Sequence, residues 1–171
     1  MNNIAKFELI SEKQFIEDAE NAFDIDDAAA KAVFGGITLP RRATAGSAGY
    51  DFYSPFDIEL EAGQSILIPT GIKARMDAGW VLLLFPRSGL GFRYRFQLDN
   101  SVGVIDQDYY DNPKNEGHIM AKMTNDSREG KTLSIKAGQA FMQGVFVPFG
   151  TADEEDVTAI REGGMGSTTG K

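Results

Sequence analysis

QSILIPTGIKARMDAGWVLLLFPRS, residues 64–88, holds three short apolar runs, each cut off by a turn signal. SILIP stops at Thr70-Gly71, IKARM at Asp77-Ala78-Gly79, and WVLLLFP at Arg87-Ser88. Runs this brief, rich in Ile, Leu, Val and Phe, favour strands over helices. The same texture reaches outward from Ile37: ITLPRR, YDFYSPFDIEL, FRYRFQ, HIMAKMTN, KTLSIKA and FMQGVFVPF alternate with EAGQ, DNPKNEG, SREGK and KAGQ. Many short strands between close-set turns predict a mainly β chain, an antiparallel barrel or jelly roll.

The segment before Ile37 reads differently. IAKFELI, residues 4–10, predicts a short strand. SEKQFIEDAENAF predicts a helix, with Ser11 as N-cap and Gln14 in the capping-box position. Phe15, Ala19, Ala22 and Phe23 then share one face. A second helix is expected from Asp26 to Phe34, stopping at Gly35-Gly36. Residues 11–36 therefore read as a helical insertion on a β-rich chain, packed on its outer surface, with a partner-binding role as the alternative.

Composition narrows the chemistry. A chain of 171 residues predicts one domain, 1–171, large enough for a core without staples. It has no Cys, which excludes disulfides and thiolate metal sites, and one His, which excludes any site needing two imidazoles. That residue, His118, reads as a polar loop or strand position. A net charge of −8 argues against non-specific nucleic-acid binding and anionic membranes. An anionic substrate would need a local Arg cluster and a divalent cation. No apolar run approaches the ~18 residues of a membrane-spanning helix. The first residues, MNNIAKFELISEKQF, lack a signal peptide's apolar core, so the expected location is cytoplasmic.

Five stretches carry more than sheet packing requires. AGSAGYDF (45–52) crowds small residues before Asp51, and PRSGLG (86–91) sets Arg87 and Ser88 in a Gly-bounded turn. NSVGVIDQDY (100–109) spaces Asp106 and Asp108 two apart, which on a strand would give them one face. GQAFMQ (138–143) places the Gln143 amide in an apolar strand. REGGMGSTTGK (161–171) offers backbone N–H groups, hydroxyls and Arg161, the groups a polyphosphate takes. It is not a P-loop, since Met165 stands where the first glycine belongs. Singly, each is an ordinary turn, hairpin corner or tail. Together they supply phosphate ligands, carboxylates for a metal shell or a water, and an Asn and a Tyr for a base or sugar.

From about Leu39 to Lys171, these stretches resemble, in order and spacing, the five motifs of the homotrimeric dUTPases. The resemblance implies a jelly-roll β-barrel, dUTP as substrate, Mg²⁺ as cofactor, and a homotrimer with sites at subunit interfaces. It implies Asp106 as the base for the attacking water and Tyr109 as the platform under the deoxyribose, refusing a 2′-hydroxyl. Asn100 and the hairpin backbone at Gly103, Val104 and Ile105 would read the uracil edge. Arg87, Ser88 and Gly89 would contact phosphates, and Asp51 and Gln143 would hold waters around the metal. Arg161, Gly166, Ser167 and Thr168 would close residues 161–171 as a lid over the γ-phosphate.

The sequence departs from that pattern in places. Tyr109 is followed by Tyr110-Asp111-Asn112-Pro113 in place of the usual Arg-Gly. Ala140, Phe141 and Met142 fill the positions before Gln143, and Met165 replaces the lid aromatic. A thioether covers a base face without aromatic stacking. The related dCTP deaminases want a Glu where this chain has Lys122, which cannot shuttle that proton. A dUTPase-like binding module with little turnover is the other rival reading.

Overall fold

The computed structural model describes residues 3–153. Strand β1 (Ala5–Leu9) leads into α1 (Glu12–Ala22) and α2 (Asp27–Phe34). The Ser11 hydroxyl caps α1, accepting from the Gln14 N–H at 3.1 Å. The other half of the expected capping box is absent. Gln14 turns along the helix to Asp18 Oδ2 at 3.0 Å, and the Ser11 N–H donates to Glu116 Oε2 at 2.8 Å. Asp26 caps α2 by accepting from the Ala29 N–H at 2.8 Å. The stop at Gly35 is right-handed (φ −62°), so no left-handed glycine ends this helix.

The predicted apolar face of α1 is the one that is buried. Phe15 and Ala19 are fully enclosed. Phe15 packs on Phe34 and Phe56, and Phe23 stacks on Phe56 with ring centroids 4.0 Å apart. Burying such aromatic area seals the helical segment onto the β-core.

The strands that follow are β2 (Arg41–Arg42), β3 (Tyr50–Tyr53), β4 (Ile58–Leu60), β5 (Ser65–Pro69), β6 (Ile72–Met76) and β7 (Trp80–Pro86). After α3 (Ser88–Tyr94) come β8 (Phe96–Leu98), β9 (Gly103–Ile105), β10 (Met120–Asn125), β11 (Leu133–Ile135) and β12 (Ala140–Pro148). Every pairing is antiparallel, as short connections between turns require. The largest sheet runs β2-β3-β12-β7-β9, beside β5-β10-β8 and the pairs β1-β6 and β11-β4. The fold is a mainly β jelly roll, with these ladders forming open sheets among the described residues. Leu82 and Leu84 point into the core from β7, between less buried neighbours, as period-2 alternation dictates.

Two expectations around α3 fail as well. FRYRFQ is not one strand: Phe92–Tyr94 close α3, and only Phe96 onward pairs as β8. PRSGLG is likewise no simple turn. The Arg87 carbonyl accepts from the N–H groups of Leu90 (3.1 Å) and Gly91 (2.9 Å), and that backbone cap starts a helix.

Candidate active site

The register of the large sheet puts Asp51 of β3 directly opposite Gln143 of β12, which in turn faces Phe85 of β7. Directly opposed residues share a face, so the Asp51 carboxylate and the Gln143 amide stand together. Arg87, two residues past Phe85, falls on the same face and donates from Nη1 to Asp51 Oδ2 at 2.9 Å. The Asp51 side chain is 14% exposed and that of Arg87 42%. With the guanidinium this open to water, the pair is worth more as an alignment of two groups than as stability.

Backbone features hold the trio in place. The ladder between β12 and β3 slips between Ala140 and Met142, and the Phe141 carbonyl at that bulge accepts from the Arg87 N–H at 3.1 Å. A Cβ on Gly49 would lie 2.5 Å from Gln143 Oε1, so the small residue before Tyr50-Asp51 makes room for the amide. Beside Arg87, a cavity of about 330 Å³ is bounded by Ser88, Phe92, Arg95 and Gln97. Ser88 and Gly89 lie exposed at the start of α3.

The predicted base sits elsewhere on the chain. Asp106 follows β9, and its carbonyl accepts from the Tyr109 N–H at 3.2 Å, opening a 3-10 turn over Gln107–Tyr109. Asp108 lies in that turn, so the two acids do not share one face of a strand as the spacing predicts. Tyr109 is buried, its hydroxyl donating to the His118 carbonyl at 2.7 Å and accepting from Asn115 Nδ2 at 2.8 Å. Asn100 is exposed at the tip between β8 and β9, where its carbonyl accepts from the Val102 N–H at 2.7 Å. Gly103, Val104 and Ile105 pair with Leu84, Leu83 and Leu82 of β7.

That register separates the two groups. It puts Asp106 beside Val81, at the far end of β7 from Arg87. At a rise of ~3.3 Å per residue they lie roughly 20 Å apart. One chain unites Asp51, Arg87 and Gln143; it does not bring Asp106 or Tyr109 to them. Arg161, Met165, Gly166, Ser167 and Thr168 lie outside the described residues.

The sequence alone does not show what joins His118, Asn115 and Asp18 to Tyr109. His118 is fully buried, with Nδ1 2.6 Å from Asp18 Oδ2 and Nε2 accepting from the Gly71 N–H at 2.8 Å. Asn115 looked like a turn residue within DNPKNEG. Only the one-per-chain rarity of histidine marked any of them beforehand.

Among the described residues no three His, Cys, Asp or Glu side chains cluster as metal ligands. The Asp51 carboxylate and the Gln143 amide oxygen are hard donors, too few for a protein cage. They suit Mg²⁺, which keeps several waters and takes its remaining oxygens from a substrate.

A jelly-roll β-protein with a carboxylate, an arginine and an amide aligned at one sheet end is the class that fold and site define. Residues 36–169 match the family model described as dUTPase, and the chain belongs to that family. It is 46% identical over 135 residues to the deoxyuridine 5'-triphosphate nucleotidohydrolase of Lactococcus lactis subsp. lactis, covering 78% of this chain and 89% of that protein. The crystal structure of dUTPase from Streptococcus mutans is 42% identical, with a TM-score of 0.64 over 86% of this chain and 98% of that one. A mutant dUTPase of phage phi11 of S. aureus shares the fold at 22% identity and TM-score 0.62, over 92% of this chain and 98% of that one; its structure reveals the coordination of a structural Mg(II) ion.

Proposed function

We propose that this chain hydrolyses dUTP to dUMP and pyrophosphate by attack of water on the α-phosphorus. The observation that carries this is the aligned Asp51–Arg87–Gln143 trio in a chain of the dUTPase family. Phosphoryl chemistry asks for positioning and charge neutralisation more than covalent help. Asp106 accepts the proton of the water as its oxygen bonds to phosphorus, and the bond to the bridging oxygen breaks, releasing pyrophosphate with its electron pair.

Arg87, Ser88 and Gly89 hold phosphate oxygens, the last two with the N–H groups that a first helical turn leaves unpaired. Asp51 and Gln143 would hold the waters of a Mg²⁺ that, when bound, neutralises charge on the triphosphate. Tyr109 supports the deoxyribose, and Asn100 with the backbone of Gly103, Val104 and Ile105 reads the uracil edge. Arg161, Gly166, Ser167 and Thr168 close over the γ-phosphate, and Met165 covers the base.

The roughly 20 Å between Asp106 and Arg87 within one chain supports a homotrimer whose sites draw Asp106 from one subunit and Arg87 from another. The chain acts as one domain with residues 161–171 as its lid. No helix of the described residues is long and apolar enough to cross a membrane, and the location we propose is the cytoplasm.

The test is pyrophosphate release from dUTP, dCTP, dTTP and UTP in parallel, with and without Mg²⁺, the nucleotide product being identified. Mg²⁺-dependent dUMP formation from dUTP alone is expected. No turnover of any of the four defeats the proposal.

A further inference from the structure

A little past the predicted base, the ten residues from Tyr109 to His118 form a loop that β1 and α1 grip from outside. The Ser11 N–H and hydroxyl donate to the two carboxylate oxygens of Glu116, at 2.8 and 2.7 Å. The Tyr110 hydroxyl donates to Glu8 Oε2 at 2.5 Å. Burial works against the Glu116 charge, yet the two Ser11 hydrogen bonds outweigh it and hold its pKa below the ordinary value.

The innermost contact runs through histidine. Nε2 of His118 accepts the Gly71 N–H, so the ring proton is on Nδ1 and points at the Asp18 carboxylate. Both ring nitrogens are then satisfied inside a site closed to water, and the ring cannot turn without losing one. The carbonyl of this same residue receives the Tyr109 hydroxyl. Within the loop, Asn112 Nδ2 donates to the Tyr109 carbonyl at 2.8 Å and to Asn115 Oδ1 at 2.7 Å. Gly117 has φ +79°, and a Cβ there would meet the Tyr109 carbonyl oxygen at 2.6 Å, so the loop folds back onto Tyr109 without slack.

We infer that Asp18 is a positioning residue for Tyr109, acting through His118, and that β1 and α1 serve the reaction by clamping the loop that carries the sugar platform. The inference rests on the reading of Tyr109 as that platform. It gives the helical segment a part in substrate selection, beyond covering the core. Withdrawing Asp18 leaves His118 Nδ1–H buried without its acceptor, and the backbone that fixes the Tyr109 hydroxyl shifts to relieve it.

The test uses the full chain with Asp18→Ala, Asp18→Asn, Ser11→Ala and Asp27→Ala. The last breaks only an exposed ion pair with Lys31 on α2, away from the loop. kcat and KM are measured for dUTP and UTP, together with melting temperature and amide exchange over 109–118. Asp18→Ala is expected to raise KM for dUTP roughly tenfold with kcat held within about threefold, and to lower the dUTP-over-UTP preference by a similar factor. Exchange in the loop should quicken. Asp18→Asn, whose amide oxygen still accepts from Nδ1–H, restores most of the loss, and Asp27→Ala resembles wild type.

Ser11→Ala, on an exposed residue, shifts the same quantities less and carries the test should Asp18→Ala not fold. A lower melting temperature with unchanged KM, preference and loop exchange overturns the inference, as does an equal effect from Asp27→Ala. Failure of the underlying reading shows separately: the unsubstituted chain would then accept UTP as readily as dUTP.

Discussion

Gly49 owes its place to one atom, Gln143 Oε1, which a Cβ would meet at 2.5 Å. That atom ends a flexible side chain, so Gly49→Ala displaces the amide without disturbing the sheet. We expect stability to change by no more than about 1 kcal/mol, while the Mg²⁺ concentration giving half-maximal activity rises; a metal titration with a parallel melt checks both. Tyr110 makes a different prediction. Its hydrogen bond to Glu8, helped by burial, pushes the phenol from 10.0 up to about 12. A raised folded-state pKa favours the protonated form, so its contribution to stability is full below pH 10 and fades as pH rises toward about 12. Tyr110→Phe removes that alkaline limb. Glu8, held below its ordinary value first by Lys6 and then by Tyr110, contributes above pH 4.5 and loses its part as pH falls through its lowered pKa. Melting temperatures of both proteins across pH read the two limbs.

At the scale of elements, α1 is docked by Phe15, which is fully buried between Phe34 and Phe56. Phe15→Ala removes that anchor and should cost ~3–5 kcal/mol, measured by urea unfolding. The helix itself was readable, because Ser11, Phe15 and Ala19 carry cap and face within a short window. The β-rich class was readable for the same local reason. α3 was not: FRYRFQ alternates like a strand, and only the carbonyl of Arg87 bonding Leu90 and Gly91 tips Ser88–Tyr94 into a helix. The burial of His118 was not readable because its partner Asp18 is 100 residues away, and no pattern within one segment encodes such a contact. Asp51 and Gln143 were marked as candidates by resemblance to known motifs; their direct opposition needed the β3–β12 register.

At the scale of the whole molecule, the roles proposed for Arg87 and Asp106 set a condition that no single chain meets. Arg87 lies past one end of β7, and Asp106 lies beside Val81 at the other. Stiff antiparallel ladders on both sides of β7 hold that separation of roughly 20 Å, so no side-chain rearrangement can close it. If water activated by Asp106 is to reach a phosphate held by Arg87, the two must come from different copies. A cyclic assembly satisfies this by repeating one interface, each subunit lending Asp106 to one site and Arg87 to the next. Asp106→Asn and Arg87→Ala chains should then each be nearly inactive on their own, with Asp106→Asn still binding nucleotide. Refolded together in equal amounts, a site is intact when it draws Asp106 from an Arg87→Ala chain and Arg87 from an Asp106→Asn chain, which random mixing gives about a quarter of the time. Activity near that fraction of wild type is the expected result. Activity no higher than the sum of the two separate variants would mean that each site is built from one chain, and the subunit-sharing arrangement would have to be abandoned.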